Sequence, residues 1–381
     1  MKDKDTVKAF IAACIGMAFF GVTMVALGAV LPSLSEKLGL IPVEKASLAG
    51  SLMGGIFLGS IVFGPICDHY GHKGIFLFSS ICVLLGLLDI SVAPGLLLLI
   101  PGYLLIGFGG GVLNGQTNTL VSDLYDATER GGKLSLLGAF YGVGAMAITL
   151  LVGVLGADFS FEIILQGISV VLLLGIAFCF TVNFPAPKQA QSFPFRKALA
   201  MLKEPVLLLM SLVLMLESTI ESVTNNLSTT YFGNNFGSAS EVVLLLTVMM
   251  ASLTAARFML SWLAHVFSPQ ILLYIFLTLL FTGFALAAIS GNIAMATVAM
   301  VLVGLGTAAA YPVILGQLGT KYSDLSGTAF GIAITIALAG STLFNALIGG
   351  LLLSVYPYVM MGGVLLMLVL YTLGNRSLEI K

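Results

Sequence analysis

The chain contains 381 residues, of which 59% are hydrophobic and only 9% charged, and its formal net charge is −1. A soluble domain carries about 25% charged residues, so a chain this apolar could not cover a water-exposed surface. Intrinsic disorder is excluded as well, because it requires low hydrophobicity and high charge. There is no excess of basic residues to attract nucleic acid, and we expect no nucleic-acid partner.

Long apolar segments follow one another along the whole chain, which predicts a polytopic helical membrane protein. One span needs roughly 20 apolar residues, whereas the strands of a membrane barrel would show alternation over about ten residues. The first segment is too long for the core of a signal peptide, and we expect it to be a retained span. Twelve spanning helices are predicted, at 8–32, 43–68, 73–93, 95–122, 132–156, 161–183, 205–232, 240–266, 269–290, 292–318, 325–354 and 356–375.

The longest polar stretch separates the first six predicted spans from the last six. It runs from Pro185 to Glu204 and is typical of a linker, with a short surface helix around 195–202. We therefore predict an N-terminal bundle at 1–184, a linker at 185–204 and a C-terminal bundle at 205–381.

The two halves repeat at an offset of 197 residues. At this offset Gly107 and Gly109 fall on Gly304 and Gly306, and Asn114 falls on Tyr311. The segments 64–68 and 261–265, which both close the second helix of their half, also coincide. A parallel six-plus-six repeat is the design of a large class of secondary transporters.

Lysine and arginine predict the orientation in the membrane, since they collect in cytoplasmic loops. Only Lys37 and Lys45 fall on the opposite side, and Arg257 lies within a span. We expect both termini and the linker to be cytoplasmic, in a plasma (inner) membrane protein embedded in the lipid bilayer. The residues assigned to the cytoplasmic side are Lys2, Lys4, Lys8, Lys73, Arg130, Lys133, Lys188, Arg196, Lys197, Lys203, Lys321, Arg376 and Lys381.

Nothing in the sequence points to an enzyme or to a cofactor. The four cysteines are not arranged in C-x-x-C pairs, and we expect free buried thiols rather than disulfides. We find no metal-ligand cluster and no arrangement of a nucleophile with a base. The cysteines are Cys14, Cys67, Cys82 and Cys179.

The loop after the second predicted span reads Gly64-Pro-Ile-Cys-Asp-His-Tyr-Gly-His-Lys73. It resembles the signature G-x-x-x-D-R-x-G-R-R/K of the major facilitator superfamily. His69 and His72 stand where arginines are usual, which weakens the charge cluster and favours pH sensitivity. The resemblance implies that this loop helps to hold the outward-facing state, and Asp68 can face the positive N-terminus of span 11. The alternative is an ordinary tight turn. We assign gating roles to Asp68, Lys73, Arg130 and Arg257.

Span 4 contains three amides, Asn114, Gln116 and Asn118, which are expensive in hydrocarbon and usually face a cavity or the bundle interior. Asn114 and Asn118 share a helix face, and amides suit the hydroxyl groups of sugars. The stretch is similar to the fucose–proton symporter branch and to sodium-dependent glucose transporter-like proteins, in which an acidic residue stands where this chain has Asn114. The alternative is hydrogen bonding between helices for packing alone. We expect the glycines at 107–111 to serve close helix contact.

Span 7 places two carboxylates on one face, Glu217 and Glu221, and Asn225 continues that face. Glu217 lies roughly 18 Å from the predicted start of the helix. Two carboxylates at that depth cannot both be ionised without partners, so one is protonated or both face a cation. A structural ion pair with Arg257 is the alternative, and Arg257 is equally a candidate for bracing the cytoplasmic gate. In the sugar-symporter branch a Glu often precedes a Tyr by ten residues, and Glu221 and Tyr231 match this spacing.

These patterns predict a monomeric secondary active transporter that moves a small polar solute, best a sugar, with H⁺ or Na⁺. The alternative is a proton-coupled efflux antiporter for drugs or lipids, although span 5 lacks the Gly-Pro pair typical of antiporters. A non-transporting sensor on the same fold is the third possibility. The candidate solute-binding residues are Asn114, Gln116, Asn118, Glu221, Asn225, Tyr311 and Asn345, and the candidate ion-coupling residues are Glu217 and Glu221.

Overall fold

The computed structural model describes residues 3–156, 158–186, 200–236, 239–351 and 355–379. These residues form α-helices joined by short connections, and no β-strand occurs among them. A 3-10 turn, Ser323–Leu325, precedes α12. The α-helices are α1 (Asp3–Leu38), α2 (Pro42–Tyr70), α3 (His72–Val92), α4 (Leu96–Leu124), α5 (Ala127–Leu155), α6 (Phe161–Phe180), α7 (Pro205–Phe236), α8 (Ala239–Leu263), α9 (Pro269–Ala288), α10 (Ile293–Thr307), α11 (Ala310–Lys321), α12 (Ser326–Leu351) and α13 (Tyr356–Glu379).

Twelve stretches of this part of the chain are long and apolar enough to cross a membrane. Helices α1 to α9 contain one span each, α10 and α11 together form the tenth, and α12 and α13 contain the last two. The predicted all-α class and the twelve spans are confirmed. Most of the expected linker, 187–199, lies outside the described residues, and so does the greater part of its expected surface helix.

The tenth span is interrupted, which the sequence analysis did not predict. It was expected as one helix at 292–318, but α10 ends at Thr307 and α11 begins at Ala310. Pro312 has no backbone N–H, so the carbonyl of Ala308 cannot receive its usual helical hydrogen bond. The break falls near the middle of the span, and Tyr311 lies in the first turn that follows it. Interrupted helices at membrane depth are common around transporter binding sites.

The chain forms two compact units. Unit 1 comprises Met1–Leu124, Phe140–Phe195 and Asp324–Gly331, and unit 2 comprises Tyr125–Ala139, Arg196–Ser323 and Ile332–Lys381. Relative to the expected bundles 1–184 and 205–381, two short segments are exchanged. The start of α5 belongs to unit 2, and the first turn of α12 belongs to unit 1.

Glycines on α4 explain how unit 1 packs. A side chain at Gly107 would collide with the carbonyl group of Leu52 on α2, and one at Gly109 would collide with that of Ser79 on α3. A side chain at Gly110 would instead collide with the side chain of Thr23 on α1. Small residues at these positions let α2 and α3 approach α4 at backbone distance and let α1 pack closely against it, as expected for glycines in a membrane bundle.

Unit 2 repeats this arrangement. Gly304, on the fourth span of the second half, lies against the carbonyl group of Met249 on α8, and Gly306 lies against Leu280 on α9. Gly107 and Gly304 therefore contact the second helix of their own half, and Gly109 and Gly306 contact the third. The offset of 197 residues seen in the sequence corresponds to equivalent contacts in the two units.

Candidate functional site

Asp68 lies at the end of α2 and caps the beginning of α12. Its side chain is buried, and its two oxygens accept hydrogen bonds from the backbone N–H of Gly327 (3.1 Å) and of Thr328 (2.8 Å). The Thr328 hydroxyl donates a third, at 2.6 Å. The first N–H groups of a helix have no partner within it and carry partial positive charge, so a carboxylate there is favourable. The expected contact between Asp68 and the start of span 11 is confirmed.

Three glycines around this contact are constrained, each by a different feature of the backbone or of its neighbours. A Cβ atom on Gly64 would lie 2.6 Å from the carbonyl oxygen of Gly327, so a side chain there would separate α2 from α12. A Cβ atom on Gly327 would lie 2.8 Å from Asp68. Gly71, between α2 and α3, has a φ of 78°, a conformation that favours glycine.

His72 organises a second buried cluster beside Asp68. Its Nε2 lies 3.0 Å from Oδ2 of Asp123, and its Nδ1 lies 3.3 Å from Sγ of Cys67. Asp123 also accepts a hydrogen bond from the hydroxyl of Ser326, at 2.8 Å, on the first residue of α12. Two carboxylates, Asp68 and Asp123, are thus bound to the same helix start.

Asp123 is not among the site residues predicted from the sequence. Its partner His72 is 51 positions away and Ser326 is 203 positions away, and no local pattern indicates those separations. The other unusual residue of the loop, His69, lies edge-on to the ring of Tyr70.

Lys73, one of the predicted gating residues, contacts the end of α6. Its ammonium group donates hydrogen bonds to the carbonyl oxygens of Phe180 (2.9 Å) and Val182 (3.3 Å). A lysine at the last carbonyls of a helix satisfies them and complements the helix dipole. Its observed contacts therefore stabilise the end of α6 rather than the start of α12.

Arg130 and Arg257 brace the beginning of α5 within unit 2. Arg130 donates to the hydroxyl of Thr320 at the end of α11 (2.6 Å) and to the carbonyl oxygen of Tyr125 (3.1 Å). Arg257, on α8, donates to the carbonyl oxygen of Gly138 at 3.1 Å. Both arginines are largely buried, so these contacts are shielded from water.

Asp126 gives α5 a charged start. Its Oδ1 accepts hydrogen bonds from the hydroxyl of Thr128 (2.6 Å), from the N–H of Thr128 (3.0 Å) and from that of Glu129 (3.2 Å). The hydroxyl of Thr128, followed by the two N–H groups, holds the pKa of Asp126 below its ordinary value. The cap fixes the first turn of α5 next to Arg130.

The amides of span 4 separate into two groups. Asn118 donates its Nδ2 to the backbone carbonyl of Asn114 (2.8 Å) and contacts its Oδ1 (3.3 Å), so these two share one face as predicted. Gln116 is fully buried and lies at hydrogen-bond distance, 3.5 Å, from the carbonyl oxygen of His72. The structure therefore brings Asn114 and Asn118 together and joins Gln116 to the His72 cluster instead.

The acidic pair of span 7 is embedded in unit 2. Glu217 is 1% exposed and Glu221 is half-buried. The hydroxyl of Ser218 donates to Oε2 of Glu217 at 3.4 Å, but Oε1 is buried and has no hydrogen-bond partner within the described residues. The charges of Glu221 and of Arg257 both act on Glu217. The hydrogen bond of Arg257 itself goes to the start of α5, at Gly138.

The remaining predicted site residues differ in their surroundings. Asn225 has a buried Oδ1 with no hydrogen-bond partner among the described residues. Tyr311 is half-buried beside the break in the tenth span. The side chain of Asn345 lies outside what the structure describes. The ring of Tyr231 packs against the ring of Tyr356, with centroids 5.5 Å apart, so the observed contact of Tyr231 is an aromatic packing contact.

A metal centre is not formed by the described residues, since no three His, Cys, Asp or Glu side chains among them are placed to hold an ion. The four cysteines are free and buried.

Comparison with known proteins decides the family. A family model described as Major Facilitator Superfamily matches residues 11–224, more than half of the chain. The chain belongs to the major facilitator superfamily. This confirms the resemblance drawn from the loop at 64–73. The family is one of transporters rather than enzymes.

Among curated relatives, the human solute carrier family 2 facilitated glucose transporter member 10 is 32% identical over 132 residues, 35% of this chain and 24% of that protein. Plastidic glucose transporter 4 of Arabidopsis thaliana is 26% identical over 189 residues, 48% of this chain and 35% of that protein. Multidrug resistance protein 3 of Bacillus subtilis is 29% identical over 117 residues, 31% of this chain and 23% of that protein. Each alignment thus spans about a third or less of the relative.

Solved structures match nearly the whole chain. The Escherichia coli fucose:proton symporter FucP, in its outward conformation, has a TM-score of 0.83 at 16% identity, covering 97% of this chain and 99% of FucP. The human organic anion transporter MFSD10 (TETRAN) has a TM-score of 0.77 at 15% identity, covering 96% of this chain and 99% of that one. At this identity the similarity establishes a shared fold.

Proposed function

We propose that this protein is a secondary active transporter that moves a small polar solute, best a sugar, by alternating access together with a proton. The observation that carries the proposal is the acidic pair in span 7. Glu217 lies twelve positions after Pro205, the first residue of the apolar helix α7. It is almost fully buried, and one of its carboxylate oxygens has no hydrogen-bond partner in the described chain. Intramembrane carboxylates of this kind mark proton or ion pathways in membrane proteins.

A charge count supports coupling at this pair. The carboxylates of Glu217 and Glu221 lie close enough to act on each other, and the positive charge of Arg257 also acts on Glu217. One negative charge is left over unless a cation binds, and an uncompensated charge is costly in an apolar environment. A proton satisfies this requirement with a single carboxylate oxygen, whereas Na⁺ would need several oxygen ligands around it. We therefore assign the coupling ion as H⁺ and Glu221, the more accessible partner, as the group that exchanges it.

The amides support a hydroxyl-rich solute. In unit 1, Asn114 and Asn118 present paired donors and acceptors on one face of span 4. In unit 2, Asn225 has an acceptor oxygen that no described donor fills. Sugar hydroxyls both donate and accept hydrogen bonds, so they match such groups. Tyr311, beside the break in the tenth span, and Asn345 complete the proposed set of solute-binding residues.

We further assign gating to the helix start that holds Asp68 and Asp123, with Arg130 and Arg257 fixing the beginning of α5. In this proposal the hydrogen bonds from Gly327, Thr328 and Ser326 form in one transport state and break in the other. The charge bias of the sequence supports cytoplasmic termini. The proposal further places the carrier in the plasma (inner) membrane as a monomer. Rocking of one half of a transporter against the other, with contacts made and broken between states, is the usual basis of alternating access.

The test is sugar uptake into proteoliposomes containing the purified protein. An imposed inward proton gradient should drive accumulation of an accepted sugar. Glu221→Gln should reduce this accumulation by at least about tenfold, while exchange of sugar down its gradient persists. Glu36→Gln changes an exposed glutamate at the end of α1 and serves as the matched control, with transport unchanged.

Three outcomes would contradict parts of the proposal. Undiminished accumulation in the Glu217→Gln, Glu221→Gln double variant would exclude coupling at span 7. Accumulation driven by a sodium gradient at constant pH would replace H⁺ by Na⁺. Proton-dependent export of drugs or lipids, without sugar uptake, would establish the efflux alternative.

A further inference from the structure

A cavity of about 920 Å³ lies within unit 2, at the ends of five helices. It is lined by the start of α5, the end of α8, the start of α9, the end of α11 and the end of α13. Consecutive spans cross a membrane in alternating directions, so these five ends lie on the same side, close to the membrane surface. Its volume is in the range of roughly 300–1,000 Å³ that small-molecule sites occupy.

Charged groups of both signs line this cavity without partners of their own. Lys321, the last residue of α11, makes no hydrogen bond or ion pair within the described chain, and it is half-buried. Glu129 on α5 presents a carboxylate that is likewise unengaged by the described residues, and His265 adds an exposed imidazole. Because the cationic and anionic groups do not pair with each other, a ligand carrying both signs of charge complements this wall best.

Gln317, which also lines the cavity, favours a ligand that donates hydrogen bonds. Gln317 donates to the hydroxyl of Tyr371 (3.0 Å) and to Oδ1 of Asn375 (3.3 Å). Its own Oε1 is buried and receives no hydrogen bond within the part of the chain described. A buried acceptor without a donor is unfavourable, and an ammonium group with several N–H bonds would satisfy it.

The start of α9 favours a phosphate in the same cavity. The helix begins at Pro269 after the capping residue Ser268, and Pro269 and Gln270 both line the cavity. Pro269 has no N–H, and the hydroxyl of Ser268 already accepts the N–H of Ile271 at 3.4 Å, so Gln270 is the residue of this first turn whose N–H can serve a ligand. The partial positive charge of the helix start adds to the charge of Lys321 and favours a phosphate.

Apolar side chains indicate that the ligand comes from the membrane. Leu260, Leu272, Val313 and Phe267 line the same cavity, and Phe267 is 41% exposed. Trp262, on the last turn of α8, is 67% exposed, as expected for a residue at a membrane interface. Leu260, Leu272 and Val313 are themselves buried, so the exposed apolar surface is that of Phe267. A water-soluble ligand would leave this ring uncovered, whereas the first methylene groups of a lipid would cover it.

We propose that this cavity binds the headgroup of a zwitterionic phospholipid that carries a primary ammonium group. Lys321 and the start of α9 hold the phosphate, and Glu129 with Oε1 of Gln317 holds the ammonium. The site is separate from the acidic pair of span 7, so it does not depend on the transport function proposed above.

The test uses the delipidated protein in detergent and its thermal unfolding midpoint, titrated with four probes. These are phosphatidylethanolamine, phosphatidylcholine, phosphatidylglycerol and water-soluble phosphoethanolamine. Phosphatidylethanolamine should raise the midpoint most, because the quaternary ammonium of phosphatidylcholine has no N–H and phosphatidylglycerol has no ammonium. Lys321→Gln and Glu129→Gln should each weaken its apparent affinity by about tenfold, since a charged hydrogen bond is lost.

Two controls keep the result specific to the cavity. Lys203→Gln removes an exposed lysine just before α7 and should leave the phosphatidylethanolamine response unchanged. Ala264→Phe fills the cavity without altering charge and should remove the response. Equal shifts with all three phospholipids, or unchanged affinity in both charge variants, would overturn the proposal. An equal response to phosphoethanolamine would exclude a membrane lipid as the ligand.

Discussion

Asp68 and Asp123 illustrate how much depends on two side chains at one helix start. The first N–H groups of α12 have no partner within the helix, and Asp68 accepts two of them. Asp123 holds the hydroxyl of Ser326 and is itself held by His72. Hydrogen bonds to charged groups contribute about 1.5–3 kcal/mol each, so this cluster is a large part of the stability of the contact.

We predict that His72→Leu destabilises the protein by roughly 1–3 kcal/mol, because the buried Asp123 carboxylate then loses a donor. With a proton on Nε2, His72 donates to Asp123, and its Nδ1 lies beside Sγ of Cys67. His72→Arg supplies a donor at the same position and should retain most of the stability. The measurement is the thermal unfolding midpoint of the three proteins. Equal midpoints for the leucine variant and the native protein would contradict the role of His72.

The amide pair of span 4 yields a second prediction at the residue scale. Asn114→Leu should abolish the thermal shift produced by an accepted sugar, because the polar face offered to the hydroxyl groups is lost, while the midpoint without sugar changes little. Asn118→Leu should have a similar effect, since Asn118 contacts the Asn114 side chain. Gln166→Leu changes an exposed amide of α6 and is the control. If both variants transport every accepted solute, the amides serve packing alone.

Between elements, glycines decide how closely helices approach. Gly107 and Gly304 occupy equivalent positions in the two units, and each faces the backbone of the second helix of its half. No such restriction applies to Gly74 on α3, where an added Cβ atom would meet nothing within 4 Å. The same residue type therefore has opposite expected effects on substitution.

We predict that Gly107→Ala and Gly304→Ala each destabilise the protein by about 1–3 kcal/mol, because a methyl group must push two helices apart. Gly74→Ala should be neutral or stabilising by up to roughly 1 kcal/mol, because alanine restricts the unfolded chain and is the better helix former. Unfolding of the purified proteins by heat or denaturant measures both effects. Loss of stability in Gly74→Ala equal to that in Gly107→Ala would argue against the packing explanation.

At the scale of the whole molecule, the charge distribution predicts how the protein lies in the membrane. Thirteen of the lysines and arginines fall on one predicted side and two on the other. We therefore expect the connection before α7 in the cytoplasm and the connection before α2 outside.

Cysteine labelling in intact cells tests this orientation. Val43→Cys, at a position 74% exposed, should react with a membrane-impermeant thiol reagent, and Leu202→Cys, 45% exposed, should react only after the membrane is opened. The four native cysteines are buried and give little background. Ser192, in the expected linker, lies outside the described residues and is a further position for the same test. The reverse labelling pattern would invert the topology.

The sequence alone determined the class of protein, the twelve spans, the glycine contacts and the family. Each depends on a property of a short segment, such as its transfer free energy, its periodicity or a signature of ten residues. Even the contact of Asp68 with the start of span 11 was predictable, since a family signature and the helix dipole both pointed to it. The break in the tenth span could also have been expected from Pro312.

Only the tertiary structure decided which side chains meet. Lys73 binds carbonyls 107 and 109 positions away, and Asp123 binds Ser326, 203 positions away. Gln116 turns to His72 rather than to the face of Asn114, although the three amides looked alike in sequence. These pairings follow from how the helices pack and rotate about their axes, a property of many distant residues together. A local pattern places a polar group in a helix, but the packing of that helix selects its partner.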